Sequence, residues 1–428
     1  MTITVCFKIF VIILILTGYT VCQRKISYRG YSLIRITPVN QQQLQYLLNM
    51  TAIPGNGLDF WLQTTAVNKS ADVMVAPSVA NSTTKNLNRF RIPYKILMPD
   101  VGKVIEDDLK AEINVPSQYQ FYGTYPSLNE ICQYIGDIAS SYPDITSLID
   151  IGSSFEGRTL EILKVSTESY EQKPVIWIQG GVHAREQIGP AVVTFIADML
   201  TSLYDECDEV NDLVEEFDWY FLPVLNPDGY YYCQTKDRLW RKTRSRDSNI
   251  KHCVGVDANR NWDIKWNSTG SSPRPCSHTY AGSKPFSEPE VKAVSDFMTC
   301  NLKDRIAMFV DFHSYSQRWL TPWGYTSKLP PTYPEQKRLA EVGIAAIKRL
   351  SGSTYTVGSS GNHMYTVSGG ERDWVTSVIG AKYSYVVELQ DLGQFGFLLP
   401  RRQILPNAQE AWEGIKAMAT DLLRLESE

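Results

Sequence analysis

His183 and Glu186 stand three residues apart in Gly180-Gly181-Val182-His183-Ala184-Arg185-Glu186, just after the apolar run Val175 to Ile178. A second histidine, His313, follows another largely apolar run, Ile306 to Phe312. Two imidazoles and one carboxylate make the ligand set of a catalytic zinc site, in which the fourth position stays open. The chain has five histidines, at 183, 252, 278, 313 and 363, so few rival sites can be assembled. On spacing alone His183 and Glu186 read equally well as two polar loop residues; His313 at a second strand end favours the metal. The spacing is not that of the helical zinc-binding motif His-Glu-x-x-His.

Glu388 lies in Tyr385-Val386-Val387-Glu388-Leu389, a charge inside an apolar strand. Burial disfavours the ionised carboxylate and raises its pKa, which suits a general base and acid near neutral pH. The competing reading is a glutamate on the solvent face of an edge strand. Arg241 in Leu239-Trp240-Arg241-Lys242 and Arg260 in Asp257-Ala258-Asn259-Arg260-Asn261-Trp262-Asp263 form a third group. A guanidinium offers a rigid fork to a carboxylate and stabilises a developing oxyanion. Taken singly, each is equally a surface arginine. Asp257 is a candidate partner for a ligand histidine, holding it in the metal-binding tautomer.

These residues need a scaffold. From about residue 115 strand patterns alternate with helix patterns: a helix over 127–140, strands over 161–165, 175–179 and 219–222, an apolar helix over 191–203, strands over 310–313 and 384–388, and a closing amphipathic helix over 408–425. Pro126-Ser127 before Glu130 has the form of a capping box. Such alternation predicts an α/β fold with a mixed or parallel sheet covered on both faces. Ligands in such folds sit at the carboxyl ends of strands, where His183 and His313 both fall. Residues 23 to about 110 read as a separate small α+β unit, with strands over 31–36 and 71–76 and helices over 41–48 and 100–112. That unit contains no histidine, so it reads as an accessory domain or as a pro-domain over the active site. No internal repeat is visible.

At 428 residues and a net charge of −4, nothing points to nucleic acid or an anionic membrane. Lys8, the apolar stretch Ile9 to Leu16 and Thr20-Val21-Cys22 make residues 1–22 a signal peptide. That stretch is too short to cross a bilayer, and no later one is long enough, so a secreted protein is expected. Loss of the leader leaves six cysteines, Cys132, Cys207, Cys233, Cys253, Cys276 and Cys300, and an oxidising compartment favours disulfides. His252-Cys253 with Cys276-x-His278 offers a structural zinc as an alternative. Its spacing matches no common zinc module, and a Cys253–Cys276 disulfide is preferred. Asn49, Asn68, Asn81 and Asn267 occupy glycosylation sequons.

Taken in order, these motifs resemble the secreted zinc metallocarboxypeptidases of the pancreatic carboxypeptidase A/B type. The resemblance rests on His183-x-x-Glu186, Asp257 to Asp263, His313-Ser314-Tyr315-Ser316, Tyr365 before Ser368-Gly369-Gly370, Glu388, and Gly396-Phe397-Leu398-Leu399-Pro400. It spans residue 120 or so to the C-terminus; the N-terminal part matches the family's pro-domain in length and pattern only. It implies an eight-stranded mixed, mostly parallel sheet sandwiched by helices, after a small antiparallel-sheet pro-domain. The implied division is a signal peptide over 1–22, an inhibitory pro-domain with connecting segment over 23–114, and a catalytic domain over 115–428. One zinc ion is implied at His183, Glu186 and His313, with Asp257 behind the first histidine. Glu388 becomes general base and acid, and Arg241 the group that polarises the scissile carbonyl. Asn259, Arg260 and Tyr365 are implied to hold a peptide's terminal carboxylate, with Arg185 and Tyr315 at outer subsites and Phe397 in the cleft wall. Cis peptides are implied at Ser314-Tyr315, Pro322-Trp323 and Gln390-Asp391.

The implied partners are peptides with a free C-terminus and an activating trypsin-like protease cutting near 103–115, where Lys103 and Lys110 are candidates. A monomer and a digestive role are expected. Arg372, in Ser368-Gly369-Gly370-Glu371-Arg372-Asp373-Trp374, falls where the family places its specificity residue. A buried guanidinium there favours a terminal glutamate, then aspartate. The competing readings are an Arg372 turned outward or neutralised by Glu371 or Asp373, and with it an aromatic or aliphatic preference. A zinc deacylase of small amides and a catalytically dead secreted binding protein are the rivals from other classes.

Overall fold

The computed structural model describes residues 25–51, 53, 55–246 and 252–426, so the leader at 1–22 lies outside the described residues. The N-terminal unit contains β1 (Ser32–Ile36), α1 (Gln41–Thr51), β2 (Leu58–Leu62), β3 (Ala71–Val75), α2 (Pro77–Arg89), β4 (Tyr94–Met98) and α3 (Val101–Lys110). Its four strands form an antiparallel sheet in the order β2-β3-β1-β4. Sequence patterning points to β1 and β3 but passes over β2 and β4. Both are five residues long, carry Asp59 and Lys95, and contain only one buried residue each, so no period-2 apolar stripe marks them.

In the larger C-terminal unit a helical turn over Ser117–Gly123 leads to α4 (Leu128–Ser141), whose start is the expected capping box: Glu130 N–H donates to Ser127 Oγ at 3.3 Å and Ser127 N–H to Glu130 Oε2 at 2.6 Å. Strands follow as β5 (Thr146–Ser153), β6 (Thr159–Val165), β7 (Val175–Gly180), β8 (Asp218–Leu222), β9 (Ile306–Ser314), β10 (Arg318–Thr321), β11 (Thr356–Ser359) and β12 (Tyr383–Leu389), with α5 (Ile188–Ser202) after β7. They make one eight-stranded sheet, ordered β11-β10-β12-β9-β7-β8-β6-β5. The central strands β8, β7, β9 and β12 run parallel, and β5 and β6 are antiparallel additions at one edge.

The parallel core is buried on both faces, as helical crossovers require. Ile176 and Ile178 of β7 pack with α5 and with Ile415 and Met418 of the closing helix Ile404–Glu426. Their neighbours Val175 and Trp177 point to the other face, against Val291 and Met298 of the helix Pro289–Asn301. Each such large apolar side chain contributes about 1.5–3 kcal/mol on burial.

This sheet sets the site by register. Glu388 on β12 stands directly beside His313 on β9, and Phe312 beside Gly180 at the end of β7. Glu388 and His313 therefore meet at the carboxyl ends of neighbouring parallel strands, next to the end of β7. Gly181 then turns the chain at φ +66°, a conformation only glycine adopts freely, and delivers His183 two residues later. The three implied peptides are cis. Cys253 and Cys276 form a disulfide, while Cys132, Cys207, Cys233 and Cys300 are unpaired. Among the described residues no helix is long and apolar enough to cross a membrane.

Candidate active site

His183, Glu186 and His313 converge, with one ligand atom from each lying within 4.8 Å of the others. The two Nδ1 atoms are 3.1 Å apart, and Glu186 places Oε1 2.9 Å from His183 Nδ1 and Oε2 2.8 Å from His313 Nδ1. Each ring's Nε2 faces a buried carboxylate: His183 meets Asp257 Oδ1 at 3.0 Å, and His313 meets Asp311 Oδ2 at 2.6 Å. Donation from Nε2 leaves each Nδ1 lone pair aimed at a common point, a donor set that fits one divalent cation. Burial alone would raise the Glu186 pKa, but the two imidazoles outweigh it and hold the carboxyl below the usual range.

Glu388 lines the same cleft. Burial pushes its carboxyl up to about 8; His313 opposes the shift and Glu186 adds to it. Arg241 is fixed by Asp257, which accepts from Nη2 at 2.9 Å and from Nε at 3.3 Å, while Nη1 lies 3.5 Å from Glu186. Asp257 thus serves a ligand histidine and an arginine at once.

Asn259 and Arg260 lie on a short helical turn beside the cleft. Asn259 Oδ1 accepts the Glu371 N–H at 3.0 Å, so the NH2 group is its donor for a ligand. Arg260 spends Nε on Gly270 O and Nη1 on Asn259 O, but its buried Nη2 has no partner. An unpartnered cationic donor facing a cleft is a seat for an anion. Half-buried Tyr365 also lines the cleft.

Arg185, Tyr315 and Phe397 are present at the outer end, but the N-terminal unit covers them. Asp59 of β2 accepts from Arg185 Nη1 at 2.8 Å, and Asp72 of β3 accepts from the Tyr315 hydroxyl at 2.8 Å. Arg35 holds Asp72 through Nε at 2.7 Å and Nη2 at 2.8 Å. The Trp61 ring packs at a tilt 5.1 Å from that of Phe397, and Trp61 and Leu62 enter the cleft lining itself.

Arg372 also lines the cleft, and it does not turn outward. Its Nε and Nη2 donate to Asp373 Oδ1 at 3.2 and 3.1 Å, so one of the two anticipated neutralising contacts is made. Glu371 points elsewhere: it accepts from Gln179 Nε2 at 2.7 Å, deep behind the site. Burial, with Asp311 adding to it, pushes the Glu371 pKa well above the carboxylate range.

Sequence reasoning missed Asp311, Asp59 and Asp72. Asp311 and Asp72 had a signal of the kind that picked out Glu388, an acid inside an apolar strand, whereas Asp59 lies on β2, which patterning passes over. In Val310-Asp311-Phe312-His313 the period of two also places Asp311 and His313 on one face.

Two imidazoles and a carboxylate that fit one cation, a half-buried glutamate beside them and an arginine with an unpartnered donor share one cleft, a site suited to metal-assisted hydrolysis. Sequence comparison agrees. The zinc carboxypeptidase profile matches residues 131–414, and the carboxypeptidase activation peptide profile matches 34–108. The chain is 37% identical to carboxypeptidase A2 of Mus musculus over 408 residues, covering 94% of this chain and 96% of that one. It is 42% identical to carboxypeptidase B of Astacus astacus over 296 residues, covering 69% and 96%. The crystal structure of thrombin activatable fibrinolysis inhibitor superposes with a TM-score of 0.84 at 34% identity, covering 93% and 99%. The chain belongs to the zinc carboxypeptidase family and carries that family's activation peptide.

Proposed function

We propose that this zinc carboxypeptidase is secreted as an inhibited zymogen and, once freed of its pro-domain, removes C-terminal glutamate, then aspartate. The preference is carried by one observation: the buried Arg372 guanidinium in the wall of the substrate cleft. Asp373 neutralises it only in part, because its Oδ2 is committed to the Gly324 and Tyr325 N–H groups at 2.7 and 3.2 Å. Gly324 keeps space beside the guanidinium, since a Cβ there would stand 2.6 Å from Nη2. Leu320, Met364, Val367 and Val386 line the approach, so glutamate's methylenes meet apolar walls and its carboxylate meets Arg372.

Zinc held by His183, Glu186 and His313 supplies Lewis acidity and lowers the pKa of water. Glu388 takes the proton from the attacking water and passes it to the leaving amine, roles that a raised carboxyl pKa suits. Arg241 Nη1, the end not bonded to Asp257, stabilises the carbonyl oxygen as it gains charge. Asn259, Arg260 Nη2 and Tyr365 hold the terminal carboxylate and place the last peptide bond at the metal. Arg185, Tyr315 and Phe397 bind residues further along the peptide, which is why a pro-domain seated on them inhibits. The domain limits proposed are those read above, 23–114 and 115–428.

The leader-like residues 1–22 and the Cys253–Cys276 disulfide support secretion. A removable pro-region suits an enzyme made in one compartment and used outside it. Extracellular digestion by a monomer is the proposed role, and transcript confined to digestive tissue is its check.

The Arg372–Asp373 contact favours a second reading, in which the pair is neutral and the apolar walls select aromatic or aliphatic termini. Matched peptides ending in Glu, Phe or Lys separate the two. Glu should be released about a hundredfold faster than Phe. Faster release of Phe selects the second reading, and fastest release of Lys defeats both.

A further inference from the structure

The pro-domain is joined to the catalytic domain by α3 and the irregular segment 111–116. Exposed Lys110 is the last residue of α3, and no lysine or arginine follows it until Arg158, between β5 and β6. A trypsin-type protease that separates the domains must therefore cut at or before Lys110. Lys103 is the poorer choice: its N–H donates to Asp100 Oδ1 in the first turn of α3, its ammonium binds Asp107, and a cut there leaves most of α3 attached. At Lys110 the helix ends, and exposed Ala111 adopts an extended conformation with φ −63° and ψ 134°.

Arg401, in the turn after Leu399-Pro400 of the catalytic domain, grips both sides of this bond. Its Nε donates to Asp108 O at 3.1 Å, and its Nη2 donates to Ala111 O at 2.7 Å and also to Asp108 O. Its backbone N–H donates to Asp108 Oδ1 at 3.1 Å. The side chain is 15% exposed, so these bonds are partly shielded from water. Ala111 N–H is itself turned back onto Asp107 O and Asp108 O. Proteases bind the chain on both sides of a scissile bond in extended form, through its main-chain groups. Here the carbonyls of the third residue before and the first residue after that bond are already taken by one guanidinium.

We propose that Lys110–Ala111 is the processing bond and that Arg401 is its guard: the bond becomes accessible only when the Arg401 side chain lets go. The step is hydrolysis, with water adding across the amide to leave a carboxylate on Lys110 and an ammonium on Ala111. The inference rests on the zymogen reading above but is tested apart from it.

The experiment follows trypsin cleavage of the intact secreted chain by gel and by N-terminal sequencing, with peptidase activity measured on the same samples. If cleavage tracks the opened population, Arg401→Ala should be cut about tenfold faster than wild type, with Ala111 as the new N-terminus. Arg402→Ala removes the same charge from an exposed neighbour, and its rate should match wild type. Equal activity of the fully cut variants shows that each folds. Wild-type kinetics for Arg401→Ala, an equal acceleration by Arg402→Ala, or a first cut at Lys103 overturns the guard. If Arg401→Ala is cut faster but activity fails to rise on cutting, the zymogen reading fails and the guard stands.

Discussion

Aspartates stand behind both ends of the cleft, but they are held in opposite ways. At the inner end Asp257 and Asp311 grip the metal-ligand histidines, and Asp311 belongs to β9, the strand that also carries His313. At the outer end Asp59 and Asp72 grip Arg185 and Tyr315 from β2 and β3 of the N-terminal unit. Among the described residues no strand of one sheet pairs with a strand of the other. The local chemistry is the same, a carboxylate largely shielded from water against a donor about 3 Å away. What differs is the element behind it: a strand hydrogen-bonded on both sides, or a module tethered by α3 and a short segment. Permanence is a property of the scaffold rather than of the bond.

That contrast breaks most visibly at the inner end. Glu388→Gln removes the proposed proton-transfer group while keeping its shape, and kcat should fall about 10²–10⁴-fold in the mature enzyme with zinc content unchanged. Loss of zinc in that variant would move Glu388 from proton transfer to metal retention. Next in size, Asp311→Asn should weaken zinc binding about 10–100-fold in chelator competition, matching Asp257→Asn. An Asp311→Asn enzyme with wild-type zinc affinity would show that β9 alone orients His313. The outer pair should behave oppositely. Asp59→Ala with Asp72→Ala should raise the residual activity of the intact chain about tenfold and leave the mature enzyme unchanged. An unchanged intact chain would mean that Trp61 and Leu62 alone block the cleft.

The two ends also differed in how far sequence could reach them. His183, Glu186, His313 and Glu388 each interrupt or end an apolar run, and strand periodicity is a local pattern, so the inner site and its sheet were readable. Asp59 and Asp72 meet partners 126 and 243 positions away. An acid inside a strand announces that something pairs with it, but not what. The sheet of the N-terminal unit was half visible for a related reason: β2 and β4 are short and mostly half-exposed. For Arg372 sequence left two neutralising neighbours open. The choice between them depends on Gly324 and Tyr325, whose N–H groups anchor Asp373, and on Gln179, which draws Glu371 away. Those partners lie on other strands and loops, beyond any local pattern.

The smallest effect sharpens the contrast through pH. Burial alone would raise the Asp59 pKa, but Arg185 and the neighbouring cations outweigh it and hold the carboxyl below its ordinary value. A group whose pKa is depressed by a contact stabilises that contact fully above its free value, about 3.9, and loses it as pH falls through the depressed value. The Asp59 share of pro-domain binding should therefore persist at pH 6 and fade in strongly acidic solution. Its measure is the difference between wild type and Asp59→Asn in the retention of the cut pro-domain on size-exclusion chromatography. That difference should shrink several-fold from pH 6 to pH 3, because a protonated Asp59 and an asparagine present the same charge to Arg185. A difference that widens with acid would mean that Asp59 enters the contact already protonated, and the outer end would then be held by shape rather than by charge.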